Sequence, residues 1–213
     1  MSAGFIVTGT DTGIGKTVFC AALAGALGAI YWKPIQSGLD GETDSDTVMR
    51  LSGLPQNRIL PEAYRLTLPA SPNIAAAREG IAIEAHRLSV PKHADPVVIE
   101  GAGGLLVPLS QDLLQIEMFA SWKLPVILCA RTAIGTINHT LLSIEAMAAR
   151  NILVHGVAFI GDEAKEVENT IVAVGKARRL GRLPFLEPLS AGSLADAFRK
   201  AFHLDNFTAR VAV

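Results

Sequence analysis

The stretch Gly9-Thr10-Asp11-Thr12-Gly13-Ile14-Gly15-Lys16-Thr17 sets glycines, a lysine and a hydroxyl in an order that suits phosphate chemistry. A glycine-rich loop closing onto a helix N-terminus turns backbone N–H groups and the positive end of the helix dipole toward a polyphosphate. In that arrangement Thr12, Gly13, Ile14 and Gly15 line the cradle, Lys16 reaches the outer phosphates, and the Thr17 hydroxyl faces a phosphate-bound Mg²⁺. The pattern departs from Gly-x-x-x-x-Gly-Lys-Ser/Thr by one residue, because Thr10 stands five before Gly15 and the glycine is Gly9. A dinucleotide-binding turn is the other glycine-rich candidate, but it has no use for a lysine followed by a hydroxyl. The apolar runs Phe5-Ile6-Val7 before the loop and Val18-Phe19-Cys20-Ala21-Ala22-Leu23 after it supply the strand and helix that a phosphate-binding loop requires.

Three further residues fall at element ends, where open α/β sheets collect ligands. Lys33 ends the run Ile30-Tyr31-Trp32, just before Pro34 and the loop Ile35-Gln36-Ser37-Gly38. It lies near the phosphate loop if the two strands are neighbours in a parallel sheet, and otherwise merely ends a strand. Asp46 opens a short helix expected over residues 46–51 with Ser45 as its cap, and an acidic first turn suits the helix dipole as well as a metal. Glu100 follows Val97-Val98-Ile99 and precedes Gly101-Ala102-Gly103-Gly104. That is the place for a second Mg²⁺ carboxylate, or for a carboxylate bonded to its own loop. His139, near a helix start, reads as a ligand donor or as a satisfied structural residue. His86, His93, His155 and His203 show no pairing spacing and are assigned no chemistry.

A βα series must position these groups. The phosphate-loop helix is expected over residues 16–27, stopped by Gly28. Residues 55–90 are irregular and proline-rich, with short helices expected near 73–78 and 84–88 and a rigid turn at Pro69-Ala70-Ser71-Pro72. Val126-Ile127-Leu128-Cys129-Ala130 suits a central strand buried on both faces. It leads through Gly135-Thr136-Ile137-Asn138-His139 into a helix ending near 150, then a strand over 154–160, a helix over 163–174, a strand near 180–183 and a helix over 193–202. The alternation predicts one α/β domain over residues 1–213, a single P-loop nucleotide-hydrolase fold with a mostly parallel sheet flanked by helices.

Half of the 213 residues are apolar, enough for a sheet covered on both faces, and 19 basic residues nearly balance 20 acidic ones. No global field therefore favours nucleic acid or an anionic membrane. The two cysteines, Cys20 and Cys129, sit in apolar elements without spaced partners and read as core. No basic leader or apolar run of ~18 residues is present, so a cytoplasmic location is expected.

Taken together, Gly9 to Thr12 with Gly15-Lys16-Thr17, Lys33-Pro34-Ile35-Gln36-Ser37-Gly38, Ser45-Asp46, Glu100-Gly101-Ala102-Gly103-Gly104 and Gly135-Thr136-Ile137-Asn138-His139 resemble the dethiobiotin synthetase family. Pro69-Ala70-Ser71-Pro72 and Val107-Pro108-Leu109-Ser110 extend the likeness, which covers most of the chain up to about residue 160. The resemblance implies a homodimer that uses ATP, Mg²⁺ and CO₂ to close 7,8-diaminononanoate into a cyclic urea. One amine takes up CO₂ as a carbamate, a carbamate oxygen attacks the γ-phosphate, and the second amine displaces phosphate from the resulting anhydride. By likeness, Lys16 and Lys33 are catalytic and Thr17, Asp46 and Glu100 hold Mg²⁺. Glu100, Gly103, Gly161 and Pro184 join the loop residues around the nucleotide. Thr12 and Ser37 contact the carbamate or diamine, and Gly135, Thr136, Ile137 and Asn138 receive the substrate carboxylate from the partner subunit.

Two departures from the family pattern bear on specificity. Gly13 stands where many relatives carry an acidic residue near the diamine. Gly161, in Phe159-Ile160-Gly161-Asp162, stands where relatives read adenine with an asparagine, so relaxed base selectivity is expected. Rival classes are a partition or positioning switch ATPase, which carries an additional lysine early in the loop, and a small-molecule kinase, which needs no CO₂. The C-terminal stretch 205–213 lacks the basic amphipathic pattern of a membrane-binding helix.

Overall fold

The computed structural model describes residues 4–208. Along the chain run β1 (Gly4–Gly9), α1 (Lys16–Leu27), β2 (Ile30–Trp32), β3 (Ile35–Ser37), α2 (Asp44–Ser52), β4 (Ile59–Leu60), β5 (Tyr64–Leu66) and α3 (Pro72–Glu79). After these come β6 (Val97–Gly104), α4 (Gln115–Trp122), β7 (Val126–Arg131), α5 (Thr136–Ala148), β8 (Val154–Ile160), α6 (Lys165–Gly175), β9 (Arg179–Leu183), α7 (Ala191–Ala201) and α8 (Asp205–Thr208). Seven strands form one sheet in the order β4-β2-β6-β1-β7-β8-β9, and every pairing in it is parallel. Parallel strands need helical crossovers, which cover both faces and leave the strands as near-continuous apolar runs. Accordingly Val126, Ile127, Leu128, Cys129 and Ala130 are all fully buried.

Aromatic and small residues fix the face that carries the phosphate loop. Phe19 of α1 is fully buried with its ring centroid 6.0 Å from Phe198 and 5.5 Å from Phe202, so α7 clamps α1 onto the sheet. Each such ring contributes about 1.5–3 kcal/mol by leaving water. On its other flank α1 meets α2 at Gly25, where a Cβ would lie 2.4 Å from the Ser52 carbonyl oxygen. Only a glycine permits that approach, and the approach sets where the first turn of α2 lies relative to the phosphate loop.

Five local expectations are corrected. The segment 35–38 is not a loop, because Ile35, Gln36 and Ser37 pair in parallel with Tyr64, Arg65 and Leu66 in a small second sheet. That sheet packs with α3 on its own core, which includes Leu66, Ala75 and Leu88. The strands bearing Lys33 and the phosphate loop are not neighbours; β6 lies between them. The cap of α2 is Thr43, not Ser45. Its hydroxyl accepts from the Asp46 N–H (3.2 Å) while the Asp46 carboxylate accepts from the Thr43 N–H (3.1 Å), a reciprocal capping box. Ser45 instead donates to Glu62 at 2.6 Å. Finally, the short helix at 84–88 is a 3₁₀ turn over Ala85–Leu88, and α5 ends at Ala148. The helix α4 and strands β4 and β5 were not anticipated. The expected C-terminal pattern falls partly on residues 209–213, which lie outside the described residues. No described helix is long and apolar enough to cross a membrane.

The Gly25 contact is testable. Gly25→Ala drives a methyl into a backbone carbonyl, an overpacking that costs about 1–3 kcal/mol. Thermal melts should show a Tm lower by roughly 2–10 °C, the conversion for a chain of this size. An unchanged Tm would mean that α2 slides freely over α1.

Candidate active site

Lys33 is the centre of the site. Its ammonium lies 2.6 Å from Asp44 Oδ2 and 3.1 Å from Glu100 Oε1, and it donates to the Gly101 carbonyl at 3.4 Å. The register puts it there: Trp32 lies opposite Ile99 across the β2–β6 ladder, so Lys33, just past the end of β2, comes out beside Glu100, which continues β6 opposite Val7. Side-chain exposure is 5% for Lys33 and 1% for Glu100. Burial alone would pull Lys33 down, but the Glu100 and Asp44 carboxylates outweigh it and hold the ammonium above its ordinary range. Burial likewise pushes Asp44 up, and Lys33 and the Thr17 hydroxyl more than reverse this.

Thr17, at the start of α1, faces the same two carboxylates. Its Oγ1 lies 3.0 Å from Asp44 Oδ1 and 2.9 Å from Glu100 Oε1. One hydroxyl proton cannot serve both acceptors fully, so the three oxygens form an electron-rich corner. Tyr31 Oη donates to the other Glu100 oxygen at 2.9 Å and fixes that carboxylate from behind. Two carboxylates and a hydroxyl fit a hard cation that takes its remaining ligands from phosphate and water. They do not form a closed protein cage, and no group of three or more His, Cys, Asp or Glu suited to metal is found among the described residues. Asp46 is not part of this corner. It is exposed on α2 and committed to the Thr43 cap, and Asp44 takes the position expected for it.

The loop itself ends at Gly15, the left-handed N-cap of α1, and the first turn of α1 holds no acidic residue to offset the dipole. Lys16 is buried and donates to the Asp11 carbonyl at 2.9 Å, folding its charge across the loop. Desolvation by burial lowers its pKa, with Glu100 opposing. Arg131 donates to the Thr12 carbonyl at 3.1 Å and steadies the outer loop.

A cleft of about 420 Å³ opens beside this corner, lined by Thr12, Lys33, Gln36, Ser37, Asp44, the 69–72 turn, Ala102 and Gly103. Ser37 Oγ is buried without a hydrogen-bond partner, so one wall carries an unused polar group. Gln36 spans the entrance, accepting from the Asp44 N–H (3.3 Å) and donating to the Ser37 carbonyl (3.1 Å). Gly103 packs on Thr12, whose Oγ1 lies 3.2 Å from where a Cβ would sit.

The remaining expected residues lie elsewhere. Gly135 caps α5, Thr136 is buried against Thr140, Ile137 packs into the core, and Asn138 is exposed. None of the four lines the Lys33 cleft; α5 instead borders a second groove through His139 and Leu142. Gly161 ends β8 beside the loop: its N–H donates to the Leu183 carbonyl (2.9 Å), and neighbouring Ile160 packs against Gly15. A side chain has no place at Gly161, where φ is +123° and a Cβ would meet Thr132 Oγ1 at 2.7 Å. Phe185, 74% exposed, stands next to it, one residue after Pro184. Sequence reasoning missed Tyr31, Gln36, Asp44, Arg131 and Phe185. Only Asp44 had a local signal, the Thr43-x-x-Asp46 pattern.

Comparison with known proteins identifies the family. A family model described as an AAA domain matches residues 3–193. The chain is 59% identical over 207 residues to the ATP-dependent dethiobiotin synthetase BioD of Rhodopseudomonas palustris (strain BisA53), covering 97% of each chain. It is 58% identical to the BioD of Nitrobacter hamburgensis, covering 97% of this chain and 98% of the relative. Among solved structures it resembles the MinC:MinD cell division complex of Aquifex aeolicus (TM-score 0.58, 14% identity, 100% and 99% covered). It also resembles a ParA family ATPase of Chlorobium tepidum (TM-score 0.55, 13% identity, 94% and 92% covered). At such identities these structural likenesses speak for the fold alone. Identity near 59% over almost the whole length speaks for more, and the chain belongs to the ATP-dependent dethiobiotin synthetase family.

Proposed function

We propose that the chain carboxylates 7,8-diaminononanoate with CO₂ and closes the cyclic urea of dethiobiotin at the expense of ATP, releasing ADP and phosphate. The observation that carries the reading is the buried Lys33 ammonium, held between Asp44 and Glu100 where the phosphate loop meets the cleft. A carbamate formed from the diamine and CO₂ is an anion, and its attack on the γ-phosphate brings two negative groups together. A preorganised cation at that junction lowers the cost, and phosphoryl transfer needs such positioning more than covalent help. With its pKa held up, Lys33 acts as a fixed charge rather than as a proton acceptor near neutral pH. Thr12 and Ser37 offer hydroxyls to the carbamate and diamine from opposite walls. Lys16 exchanges its bond to the Asp11 carbonyl for the outer phosphates. Thr17, Asp44 and Glu100 would hold Mg²⁺, which neutralises phosphate charge when bound. The direct test is phosphate release with diamine and bicarbonate supplied together or singly. Release requires both; release with diamine in CO₂-free buffer indicates a kinase, and release with neither indicates a switch ATPase.

The carboxylates separate experimentally. Asp44→Asn should raise the Mg²⁺ concentration needed for half-maximal rate and lower kcat by roughly 10²-fold, the scale of losing one preorganised group. Asp46→Ala should leave the Mg²⁺ dependence unchanged and cost about 0.5–2 kcal/mol of stability in urea melts, as loss of a cap does. The reverse pattern would restore Asp46 to the metal.

We further propose that two copies meet through the groove bordered by Leu106 and Leu142, large apolar residues 53% and 56% exposed. Such a surface marks an interface, and it brings the start of α5 toward the partner's cleft to receive the substrate carboxylate. Leu142→Asp should convert dimer to monomer in sedimentation and raise KM for the diamine at least tenfold. A parent chain that sediments as a monomer at micromolar concentration refutes the arrangement.

The base contact of the nucleotide is assigned to the strip from Gly161 to Pro184 and Phe185. With no side-chain amide at Gly161, main-chain and apolar contacts are assigned the larger share, worth roughly 1–3 kcal/mol of discrimination; Asp162 is the alternative polar reader. Measured kcat/KM for CTP and GTP should fall within about 10–100-fold of that for ATP. A preference for ATP above about 10⁴-fold would reveal another polar reader.

A further inference from the structure

We infer that Gln115 is a positioning residue for the catalytic corner, acting as a surrogate strand residue for the carboxyl end of β6. The need for one follows from the register. Val7 lies opposite Glu100, but Gly9 lies opposite Gly104, so β6 uses four residues where β1 uses two. The extra length bulges out of the ladder and leaves main-chain groups of the segment 101–103, buried at Gly101 and half-buried at Ala102 and Gly103, without strand partners, a costly condition where water is largely excluded. Gln115, 4% exposed at the first position of α4, meets this demand with both ends of its amide. Its Oε1 accepts from the Ala102 N–H at 2.6 Å, and its Nε2 donates to the Gly104 carbonyl at 2.8 Å. A side-chain amide carries one acceptor and donors two bonds apart, which is what a peptide group offers to a neighbouring strand.

The clamped segment is the one that shapes the site. Glu100 precedes it, the Gly101 carbonyl accepts from Lys33, Ala102 and Gly103 wall the cleft, and Gly103 abuts Thr12. The clamp has its own foundation, because α4 starts with the Gln115 N–H bonded to the Val107 carbonyl (2.9 Å) and the Ile116 N–H to the Leu105 carbonyl (3.0 Å). Gln115 also explains Gly101: a Cβ there would lie 3.1 Å from Gln115 Nε2 and 2.8 Å from the Phe119 ring. No part of Gln115 lines the cleft, so its influence on substrate runs through the bulge.

The inference rests on the proposed synthetase activity, and the test keeps the two apart. In Gln115→Met, of equal length but without the bonds, kcat should fall at least tenfold while KM for ATP stays within about threefold, since the phosphate loop does not touch Gln115. Gln115→Glu keeps the acceptor for Ala102 and loses the donor to Gly104, and its kcat should lie between those of the parent and the Met variant. In the parent, the Ala102 amide should exchange with solvent at least ~10²-fold more slowly than an open amide. A parent that turns over without needing diamine and CO₂ together defeats the activity but leaves the exchange result standing. Parent-like kcat in the Met variant with a lowered Tm reduces Gln115 to a structural residue and overturns the inference. So does fast exchange at Ala102, which requires no variant to fold.

Discussion

A lysine buried to 5% exposure between two carboxylates is the constraint from which the rest of the site follows. Removing one partner of a buried pair strands the other charge at a cost of about 3–5 kcal/mol, so the elements that bring these charges together cannot drift independently. Lys33 comes from the end of β2, Glu100 from β6 and Asp44 from the first turn of α2. The parallel ladder fixes the first two, and the glycine contact between α1 and α2 fixes the third. Tyr31 and Lys33, two residues apart, point to the same side of the chain, so Tyr31 donates to one Glu100 oxygen while Lys33 holds the other.

The same charges decide how the site responds to pH. Asp44 is held below its ordinary range, so its contribution to stability is present above a pH of about 3.9 and is lost as the pH falls through its folded value. Lys33 is held above its ordinary range, and its contribution is present below about pH 10.4 and lost only as the pH rises through the folded value. Between those limits the pair stays ionised, giving a constant field around neutrality. Lys16 has the opposite sign: burial disfavours its charge, and a bound polyphosphate would supply the counter-charge it lacks. The two buried lysines thus differ in kind: Lys33 is paired with two carboxylates, whereas Lys16 is bonded only to a main-chain carbonyl.

What the sequence disclosed, it disclosed where chemistry interrupts a pattern. Lys33 and Glu100 each follow a run of apolar residues, and Lys16 and Thr17 follow a glycine-rich loop, so one residue of error cannot hide them. The helix Lys16–Leu27 and the strand Val154–Ile160 have the bounds that were expected, because Gly28 and Gly161 mark their ends. Asp44 was hidden because Thr43 and Ser45 compete as caps, and moving the cap by two residues exchanges which aspartate faces the loop. The acidic residue three beyond Thr43 decides the matter, since Val48 in the equivalent place after Ser45 can close no capping box. Tyr31 and Gln115 were illegible for a different reason. Each looks like ordinary core or helix sequence, and its role exists only once a sheet register brings a distant backbone or carboxylate within reach.

That register also separates what this chain shares with its structural neighbours from what is its own. The seven-stranded sheet and its phosphate loop need only parallel pairing and apolar crossovers, conditions met by chains 13–14% identical to this one. The cleft needs more. Its walls are the small sheet of β3 and β5, the proline turn at 69–72 and the bulged end of β6, none of which the main sheet requires. A straight β6 would keep Glu100 opposite Val7 and pair the next residues with β1, drawing Ala102 and Gly103 back from the cleft. The bulge trades ladder bonds for a wall beside Lys33, and a buried amide on α4 restores two of those bonds. The phosphate loop therefore goes with the regular sheet, whereas the cleft beside Lys33 is a product of its departures from regularity.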